Sequence, residues 1–309
     1  EAHIEIVDIP DISQARRIVE QWMDQERRLG IDLSSSPWKI RVHVLSNREF
    51  VLGMSFHHAL WDGWSNATFL NELLRAYSLY EKQGYVCESA RPPSYKHFVA
   101  LEQMAASSEE NAAYWRNKLK GARLPWWTGD LREQSAVVCP EVSEDSSNRL
   151  VALAATLGVQ EKSVWAAVYF ALVSLLDGSN DVVASVATHG RPEISGSEKT
   201  LGLFLNSLPA RLDIAGMRWR DLVLVAEAEL QALHAVRHFP LVQIQVETGM
   251  SFSASLFSFI NFHIYEENIA DRQLIFGEGF EETNYCIIFQ VQKLQGLQRY
   301  VVHVGLDPS

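Results

Sequence analysis

The sequence predicts an α/β fold, with helices and strands in both halves of the chain. Hydrophobic residues alternate with a period of two over residues 50–56, which is typical of a strand, and then recur at helical spacing over residues 67–77. The second half repeats this alternation of strands and helices. A length of 309 residues with 47% hydrophobic content allows one large domain or two ordinary ones around a sizeable core.

The elements of the first part follow from local patterns. They are a helix over residues 11–30 that starts at a capping box of Asp11 and Gln14, strands over 40–45 and 50–56 joined by a turn at 46–48, and helices over 65–84 and 92–121. The two strands form a predicted hairpin. Arg41 and His43 share one face of its first strand, because alternate residues of a strand point the same way.

An irregular polar segment from residue 125 to about residue 148 separates the two parts of the chain. We place a lobe boundary there, with lobes at residues 1–128 and 129–309. The second lobe contains predicted helices over 150–157, 164–176 and 219–234, and predicted strands over 182–188, 203–212, 256–265, 285–291 and 300–304. The sequence has no initiator Met and its last strand stops abruptly, so we expect part of a longer chain.

Composition argues against several function classes. The chain has 27 basic and 38 acidic residues, a net charge of −11, and it lacks a basic stripe, so no nucleic-acid partner is predicted. Its start is not a signal peptide, and its most apolar helix, at 163–176, is shorter than the roughly 20 residues that span a membrane. We expect a cytoplasmic protein without a membrane partner. Cys87, Cys139 and Cys286 are predicted to be reduced thiols.

The junction between the 50–56 strand and the next helix carries the motif HHALWDG, residues 57–63. Continuing the strand alternation places His58 on the face of Phe56, whereas His57 points to the opposite face. Two diverging imidazoles make poor joint metal ligands. The sequence also lacks HExxH, a P-loop and a dinucleotide fingerprint, so neither a metal nor a bound cofactor is predicted.

Histidine is the side chain suited to proton transfer near neutral pH. The sequence lacks the G-x-S-x-G nucleophile elbow, which favours direct transfer of a preactivated acyl group to an acceptor whose proton His58 handles. Two roles stay open for Asp62: it orients His58, or it pairs with Arg41 on the neighbouring strand, which we favour. The backbone N–H of Gly63, near a helix start, is a candidate oxyanion contact.

These residues resemble the HHxxxDG signature of condensation domains of non-ribosomal peptide synthetases, which belong to the chloramphenicol acetyltransferase-like superfamily. Other segments agree in order and spacing. They are Thr188-His189-Gly190-Arg191-Pro192, similar to the family's GRP segment, residues 201–211, similar to GxFVNTLPLR, and His238-Phe239-Pro240-Leu241, similar to H-x-x-P-F/L. The family's N-terminal part and C-terminal end have no counterpart here, which suggests a truncated or excised domain.

The resemblance implies two chloramphenicol-acetyltransferase-like lobes in a V-shaped pseudo-dimer, with the active site between them. It implies that the phosphopantetheine arms of donor and acceptor carrier proteins meet at His58, where an aminoacyl α-amine attacks an acyl or peptidyl thioester and forms an amide. Neighbouring adenylation and carrier domains would be partners. The candidate site residues are His58 as catalyst, with His57, Asp62, Gly63 and Arg41 as support and Trp61, Trp64, Ser65, Asn206 and Ser207 along a substrate tunnel.

Three alternatives stay open. Epimerization domains share the histidine motif, and residues 188–191 resemble their GHGR segment, although residues 206–209 favour condensation. A free-standing acyltransferase would use coenzyme A thioesters. A non-catalytic docking module is the third alternative, but such modules usually lose the second histidine, which is intact here as His58. The sequence identifies neither the donor nor the acceptor.

Overall fold

The computed structural model describes residues 3–34, 37–86, 91–127, 136–138, 140, 142–261, 268–269, 272–273, 283–294 and 299–306. In chain order the strands and helices are β1 (His3–Asp8), α1 (Ala15–Leu29), β2 (Trp38–Val44), β3 (Phe50–Phe56), α2 (Gly63–Gln83), α3 (Lys96–Ala106), α4 (Glu109–Lys118), β4 (Ala136–Val138), α5 (Glu144–Leu157), α6 (Glu161–Asp177), β5 (Asp181–His189), β6 (Leu205–Asp213), α7 (Trp219–Ala235), α8 (Leu241–Thr248), β7 (Ser255–Ile260), β8 (Asn268–Ile269), β9 (Arg272–Gln273), β10 (Ile287–Leu294) and β11 (Arg299–Leu306).

The chain packs as two compact units. Unit 1 comprises Glu1–Glu88, Leu201–Leu203 and Glu267–Glu281, and unit 2 comprises Ser89–Thr200, Phe204–Glu266 and Glu282–Ser309. Both units combine sheets with helices, so the predicted α/β class is confirmed for the described residues.

Unit 1 contains a sheet of strand order β1-β2-β3. Strands β2 and β3 form the predicted antiparallel hairpin, whereas β1 lies parallel to β2. Helix α1 packs on one face of this sheet, where the buried ring of Trp22 lies over Gly53. A Cβ atom at position 53 would be 2.1 Å from ring carbon Cζ3 of Trp22, so the close packing of the helix on the sheet requires glycine there.

Helix α2 packs on the opposite face of the same sheet. Its Phe69 ring lies edge-on to Trp38 of β2 at 5.9 Å, and its Tyr77 ring lies edge-on to Phe50 of β3 at 6.0 Å. The residues of β3 that share a face in the predicted alternation therefore meet α2. Because β3 runs directly into the motif turn and α2 follows it, both elements anchor that turn.

Unit 2 is built around a sheet of order β4-β11-β10-β7-β5-β6, in which β10, β7 and β5 are parallel and the other pairs are antiparallel. Helix α6 forms much of its core. The Tyr169 side chain of α6 is fully buried, and its hydroxyl lies 2.7 Å from Ser255 Oγ and donates to the carbonyl oxygen of Ser185 at 3.2 Å. The helix is thus tied to β5 and β7 by both apolar packing and satisfied polar groups.

Most predicted elements are confirmed, with ends shifted by a few residues. The single helix predicted over 92–121 is wrong, because the chain breaks after Ala106 and Ser108 caps a new helix by accepting from the N–H of Asn111 at 3.2 Å. Strand β1 has no counterpart among the predicted elements. The strand predicted over 256–265 ends at Ile260, and residues 262–265 lie outside the described residues.

The two units do not coincide with the lobes predicted at 1–128 and 129–309, because α3 and α4 pack with unit 2. The Arg211 guanidinium of β6, for example, donates to the carbonyl oxygens of Lys118 and Lys120 at the end of α4. The units are defined by packing, and the boundary predicted from the irregular segment stays a prediction.

In the part of the chain that the structure describes, no single helix is long and apolar enough to cross a membrane. Helices α5 and α6 reach that length and composition only together, across a bend of 106°. Cys286 is a free, buried thiol, and Cys87 and Cys139 lie outside the described residues.

Candidate active site

The motif turn begins where β3 ends. The N–H of His57 donates to the carbonyl oxygen of Pro37 at 2.9 Å, which extends the hairpin by one step. The chain then folds back on His57, whose Nδ1 accepts from the N–H of Ala59 at 3.0 Å and whose carbonyl oxygen accepts from the N–H of Leu60 at 3.0 Å. With Nδ1 as an acceptor, a neutral His57 ring carries its proton on Nε2. His57 therefore holds the turn.

His58 is exposed, whereas Trp61 and Asp62, later in the same motif, are buried. Its neighbour His57 is half-buried in the turn. An imidazole that reaches solvent while its backbone is fixed on both sides satisfies the first requirement for proton transfer to a bound substrate, because a general base must come within hydrogen-bond distance of the proton it takes.

Asp62 is 3% exposed and caps α2: its Oδ1 accepts from the N–H of Ser65 at 2.8 Å. A carboxylate at a helix N-terminus satisfies an otherwise unpaired donor and complements the helix dipole. Asp62 also donates its own N–H to the carbonyl oxygen of Gly202 at 3.1 Å. The end of the motif is therefore fixed by a helix cap and by a distant segment of unit 1.

Ser65 completes that attachment. Its hydroxyl donates to the carbonyl oxygen of Gly202 at 2.8 Å and accepts from the N–H of Gly202 at 3.1 Å, while its side chain is fully buried. The backbone of Gly202 therefore engages the Ser65 hydroxyl both as a donor and as an acceptor. This contact set gives Ser65 a structural part in unit 1, and its predicted place along a substrate tunnel stays a prediction.

Arg41 does not take the partner favoured from the sequence. Its Nε and Nη2 bind Glu5 of β1, at 2.8 and 2.6 Å, and its guanidinium lies 5.7 Å from the ring centroid of Trp22. Register explains the difference, because Arg41 lies opposite Glu5 on the parallel strand and opposite Gly53 on β3, three residues before that strand ends. The proposed Arg41–Asp62 pair is therefore wrong, and Arg41 supports the sheet beneath α1.

The two tryptophans of the motif region differ in environment. Trp61 is 8% exposed and packs among Trp38, Phe56 and Phe69, with ring centroids 5.3–6.0 Å apart. Its ring belongs to the aromatic core under the motif turn, and its predicted place along a substrate tunnel stays a prediction. Trp64, in the first turn of α2, is 36% exposed.

Asn206 holds a loop of unit 2. Its Nδ2 donates to the carbonyl oxygens of Arg237 and Phe239, at 3.1 and 2.8 Å, and its Oδ1 accepts from the N–H of Leu241 at 3.3 Å. Both amide donors are therefore used by the backbone between α7 and α8. The neighbouring Ser207 is hydrogen-bonded to Tyr285. Burial raises the pKa of the Tyr285 phenol, and the hydrogen bond with Ser207 opposes this effect only in part.

Gly190 is closely packed by other residues of unit 2. Its N–H donates to the carbonyl oxygen of Phe204 at 2.7 Å, and His238 Nε2 lies 2.9 Å from its carbonyl oxygen. A Cβ at this position would be 2.8 Å from Phe98 and 2.9 Å from the His238 ring. Next to it, Arg191 lies 3.9 Å from the ring centroid of Phe204. These contacts make the segment a packing junction within unit 2.

The family model of the condensation domain matches residues 1–294 of this sequence. The chain belongs to the condensation-domain family. A relative, the AMB antimetabolite synthetase AmbE of Pseudomonas aeruginosa, is 32% identical over 257 residues, which are 81% of this chain and 12% of AmbE. The chain thus spans about an eighth of that synthetase, and the resemblance stated from the motifs is confirmed.

Solved structures agree on the fold of this condensation domain. The first condensation domain of the calcium-dependent antibiotic synthetase, in complex with a substrate analogue, matches 99% of this chain and 72% of its own with a TM-score of 0.76 at 19% identity. The epimerization domain of the third module of tyrocidine synthetase B matches 99% of this chain and 74% of its own with a TM-score of 0.77 at 15% identity. At such identities the likeness shows the fold alone.

Sequence reasoning misses the part that Gly202 plays in this condensation domain. Residues 201–211 are recognised as a family segment, but nothing in their pattern indicates that Gly202 binds Asp62 and Ser65. Ser65 carries a weak signal, since a small hydroxyl residue in an apolar helix face needs a hydrogen-bond partner. Within the described residues, no group of three or more His, Cys, Asp or Glu side chains is placed to hold a metal ion.

Proposed function

We propose that this chain forms an amide bond between two carrier-bound thioesters, with His58 as the proton acceptor. The observation that carries the proposal is the exposed His58 on a turn that His57 fixes at one end and Asp62 at the other. Membership of the condensation-domain family supports acyl transfer to an amine. The particular reaction, its substrates and the catalytic role of His58 are parts of the proposal.

The chemistry needs no nucleophile from the protein. The α-amine nitrogen of an aminoacyl thioester attacks the carbonyl carbon of the donor thioester, the C–N bond forms, and the carbon–sulfur bond breaks. His58 accepts the proton that the nitrogen loses and returns it to the departing thiolate. A free α-amine has a pKa of about 7.7–8.0, so a sizeable minority is neutral at pH 7 and the base acts as the tetrahedral intermediate forms. Such help contributes about 10²–10⁴-fold.

Asp62 is a positioning residue in this proposal. It caps α2 at Ser65 and is bonded to Gly202, and in this proposal it acts on His58 by holding the turn. Gly63 is the first residue of α2, and the N–H groups of a first helical turn have no intrahelical acceptor. We propose the Gly63 N–H as a donor to the tetrahedral oxyanion, where a helix start favours negative charge.

The partners in this proposal are donor and acceptor carrier proteins whose phosphopantetheine arms bear the thioesters, with adenylation domains nearby in a longer synthetase. The relative AmbE, which is named a synthetase and is about eight times longer than the matched region, supports such a setting. The domain itself holds no cofactor in this scheme, because the activated acyl group arrives on the carrier arm.

The test combines the purified chain with an acyl-loaded donor carrier and an aminoacyl-loaded acceptor carrier, and it follows the mass of the intact acceptor. We expect the acceptor to gain the acyl mass and the donor to lose it. His58→Ala should reduce the rate at least 10²-fold, whereas His97→Ala, an exposed histidine of α3, should leave it unchanged. A folded His58→Ala variant with the normal rate would refute the role of His58.

Epimerization is the second candidate, because an epimerization domain has the same fold with a TM-score of 0.77 and residues 188–191 resemble its GHGR segment. The two reactions differ in what they move. Epimerization exchanges the α-proton of one carrier-bound residue without joining two chains. In D₂O, deuterium incorporation at the α-carbon of a single loaded carrier, with no mass transfer between carriers, would favour this candidate over condensation.

A further inference from the structure

A group of basic side chains lies where β5 and α7 end in unit 2. Lys162, in the first turn of α6, points its ammonium at the carbonyl oxygen of Ala187 in β5, with Nζ and oxygen 3.4 Å apart. His189 is the last residue of that strand and projects to the same side as Ala187. Its ring centroid lies 6.5 Å from that of His234, at the end of α7.

Arg237 joins this group just after α7. Its Nη1 donates to the carbonyl oxygen of His234 at 2.9 Å, and its Nη2 binds Glu193 at 2.8 Å. Its Nε is buried and has no hydrogen-bond partner among the described residues. Glu193 is the acidic side chain that this group engages, and it is 78% exposed. A concentration of positive charge is unexpected in a chain of net charge −11.

These groups act on one another electrostatically. Burial lowers the pKa of His189, and the nearby charges of Lys162, His234 and Arg237 lower it further. Burial and then Arg237 lower the pKa of His234, which Glu193 partly opposes. Burial lowers the pKa of Lys162 to about 8, so the amine is still mostly protonated at pH 7. An anion among them would reduce this mutual repulsion and raise all three pKa values.

Two further basic residues at this end of unit 2 already have structural partners. Arg191 donates to the carbonyl oxygens of Ser197 and Thr200, at 2.8 and 2.6 Å. The His238 ring lies 2.9 Å from the carbonyl oxygen of Gly190, and burial lowers its pKa. They contribute to the electrostatic environment. Lys162 and Arg237 also have protein acceptors, but an ammonium has three N–H donors and a guanidinium five, so each keeps donors for a ligand beside the rings of His189 and His234.

We propose that Lys162, His189, His234 and Arg237 form a binding site for a phosphate group, either free phosphate or a phosphate ester such as that of phosphopantetheine. Phosphate oxygens accept charge-assisted hydrogen bonds from the Lys162 ammonium and the Arg237 guanidinium, and from the imidazolium forms of the two histidines that a bound anion favours. A bound anion favours the protonated forms of Lys162 and the two histidines. Affinity should therefore rise as pH falls from 8 to 6.5, where the Lys162 amine, with a pKa of about 8, gains its proton. The site lies within unit 2 and is independent of amide formation.

The test titrates the intact chain with inorganic phosphate, phosphopantetheine and pantetheine at pH 6.5 and pH 8, following the ring signals of His189 and His234 by NMR. We expect shifts with the two phosphate-bearing probes, tighter binding at the lower pH, and no shift with pantetheine. If inorganic phosphate and phosphopantetheine compete, the site accepts phosphate esters as well as the free ion. If only inorganic phosphate binds, the site is restricted to the free ion.

The variant for this test is His189→Gln with His234→Gln. Both residues keep solvent-exposed surface, although neighbouring groups partly desolvate their rings, so the replacement should leave the fold intact. The double variant should bind phosphate at least tenfold more weakly than the wild type. A folded Lys162→Met variant should lose a similar factor in affinity. Lys120→Met, an exposed lysine after α4, is the matched control and should bind normally. No shift with either phosphate-bearing probe, or an unchanged affinity in the double variant, would overturn the site.

Discussion

Ser65 and Gly202 are 137 residues apart in the sequence and exchange two hydrogen bonds in unit 1. The Ser65 hydroxyl donates to the Gly202 carbonyl oxygen at 2.8 Å and accepts from the Gly202 N–H at 3.1 Å. Asp62 donates to the same carbonyl oxygen. The motif that carries His58 is therefore held by a segment far along the chain, and the first two predictions concern this attachment.

Ser65→Ala should destabilise the protein by about 1–3 kcal/mol. The Gly202 carbonyl oxygen keeps the Asp62 N–H as a donor, but the Gly202 N–H loses its acceptor in a buried place, and an unsatisfied buried donor costs about that much. The measurement is urea unfolding at constant pH. Thr68→Ala is the control: its hydroxyl bonds a carbonyl one turn back in α2, and the change should stay within about 0.5 kcal/mol. Equal losses in the two variants would contradict the attachment.

Asp62→Ala should cost about 1 kcal/mol of stability or more, because the carboxylate caps α2 at Ser65. Asp62→Asn keeps a cap acceptor and should retain more stability than the alanine variant. Unfolding curves give the stabilities, and turnover is then compared at equal folded fraction. If Asp62→Asn is as stable as the wild type but inactive, the side chain acts on the reaction itself and the positioning role is wrong.

The motif turn and its flanking elements are predictable from the sequence, because strand alternation, a turn and helical spacing are local patterns. The partner of Arg41 is not predictable from the sequence. The alternation does not predict β1 as a strand, and without β1 the sequence offers no neighbour for Arg41 except the hairpin. Parallel pairing joins segments that are distant in sequence, so Glu5 becomes visible as the partner only when the register is known.

The same limit applies to the predicted tunnel residues. Trp61 and Asn206 lie in recognised motifs, but the sequence does not distinguish a side chain that meets a ligand from one that meets the protein. The fold places Trp61 in an aromatic core and Asn206 on the backbone of residues 237–241. Recognition of a family segment therefore locates a packing junction of the fold more reliably than it assigns the task of each residue.

Gly53→Ala should destabilise the protein by about 1–3 kcal/mol, because a methyl group there overlaps the Trp22 ring and the core is already packed. The test is a double-mutant cycle with Trp22→Leu. The leucine variant is itself destabilised, but adding Gly53→Ala to it should cost less than in the wild type, since the overlapping ring is gone. Additive costs would mean that the packing of α1 on β3 does not depend on this pair.

His43 gives unit 1 a dependence on pH. The side chain is fully buried, and neither ring nitrogen has a hydrogen-bond partner among the described residues. Burial lowers its pKa, as does the nearby Arg41, while Glu5 opposes this. The unfolded chain therefore binds more protons than the folded one as pH falls through the ordinary histidine value of about 6.5, and stability is lost in that direction.

His43→Phe should therefore flatten the fall in unfolding free energy between pH 7 and pH 5 while keeping stability near pH 7, because the ring loses no hydrogen bond and stays apolar. Urea unfolding across this range gives the slopes. His189, His234 and His238 also have lowered pKa values and contribute equally to both curves, so the difference between wild type and variant isolates His43. His97→Gln, on an exposed position of α3, controls for the loss of any histidine, and parallel curves for wild type and His43→Phe would contradict a neutral buried imidazole.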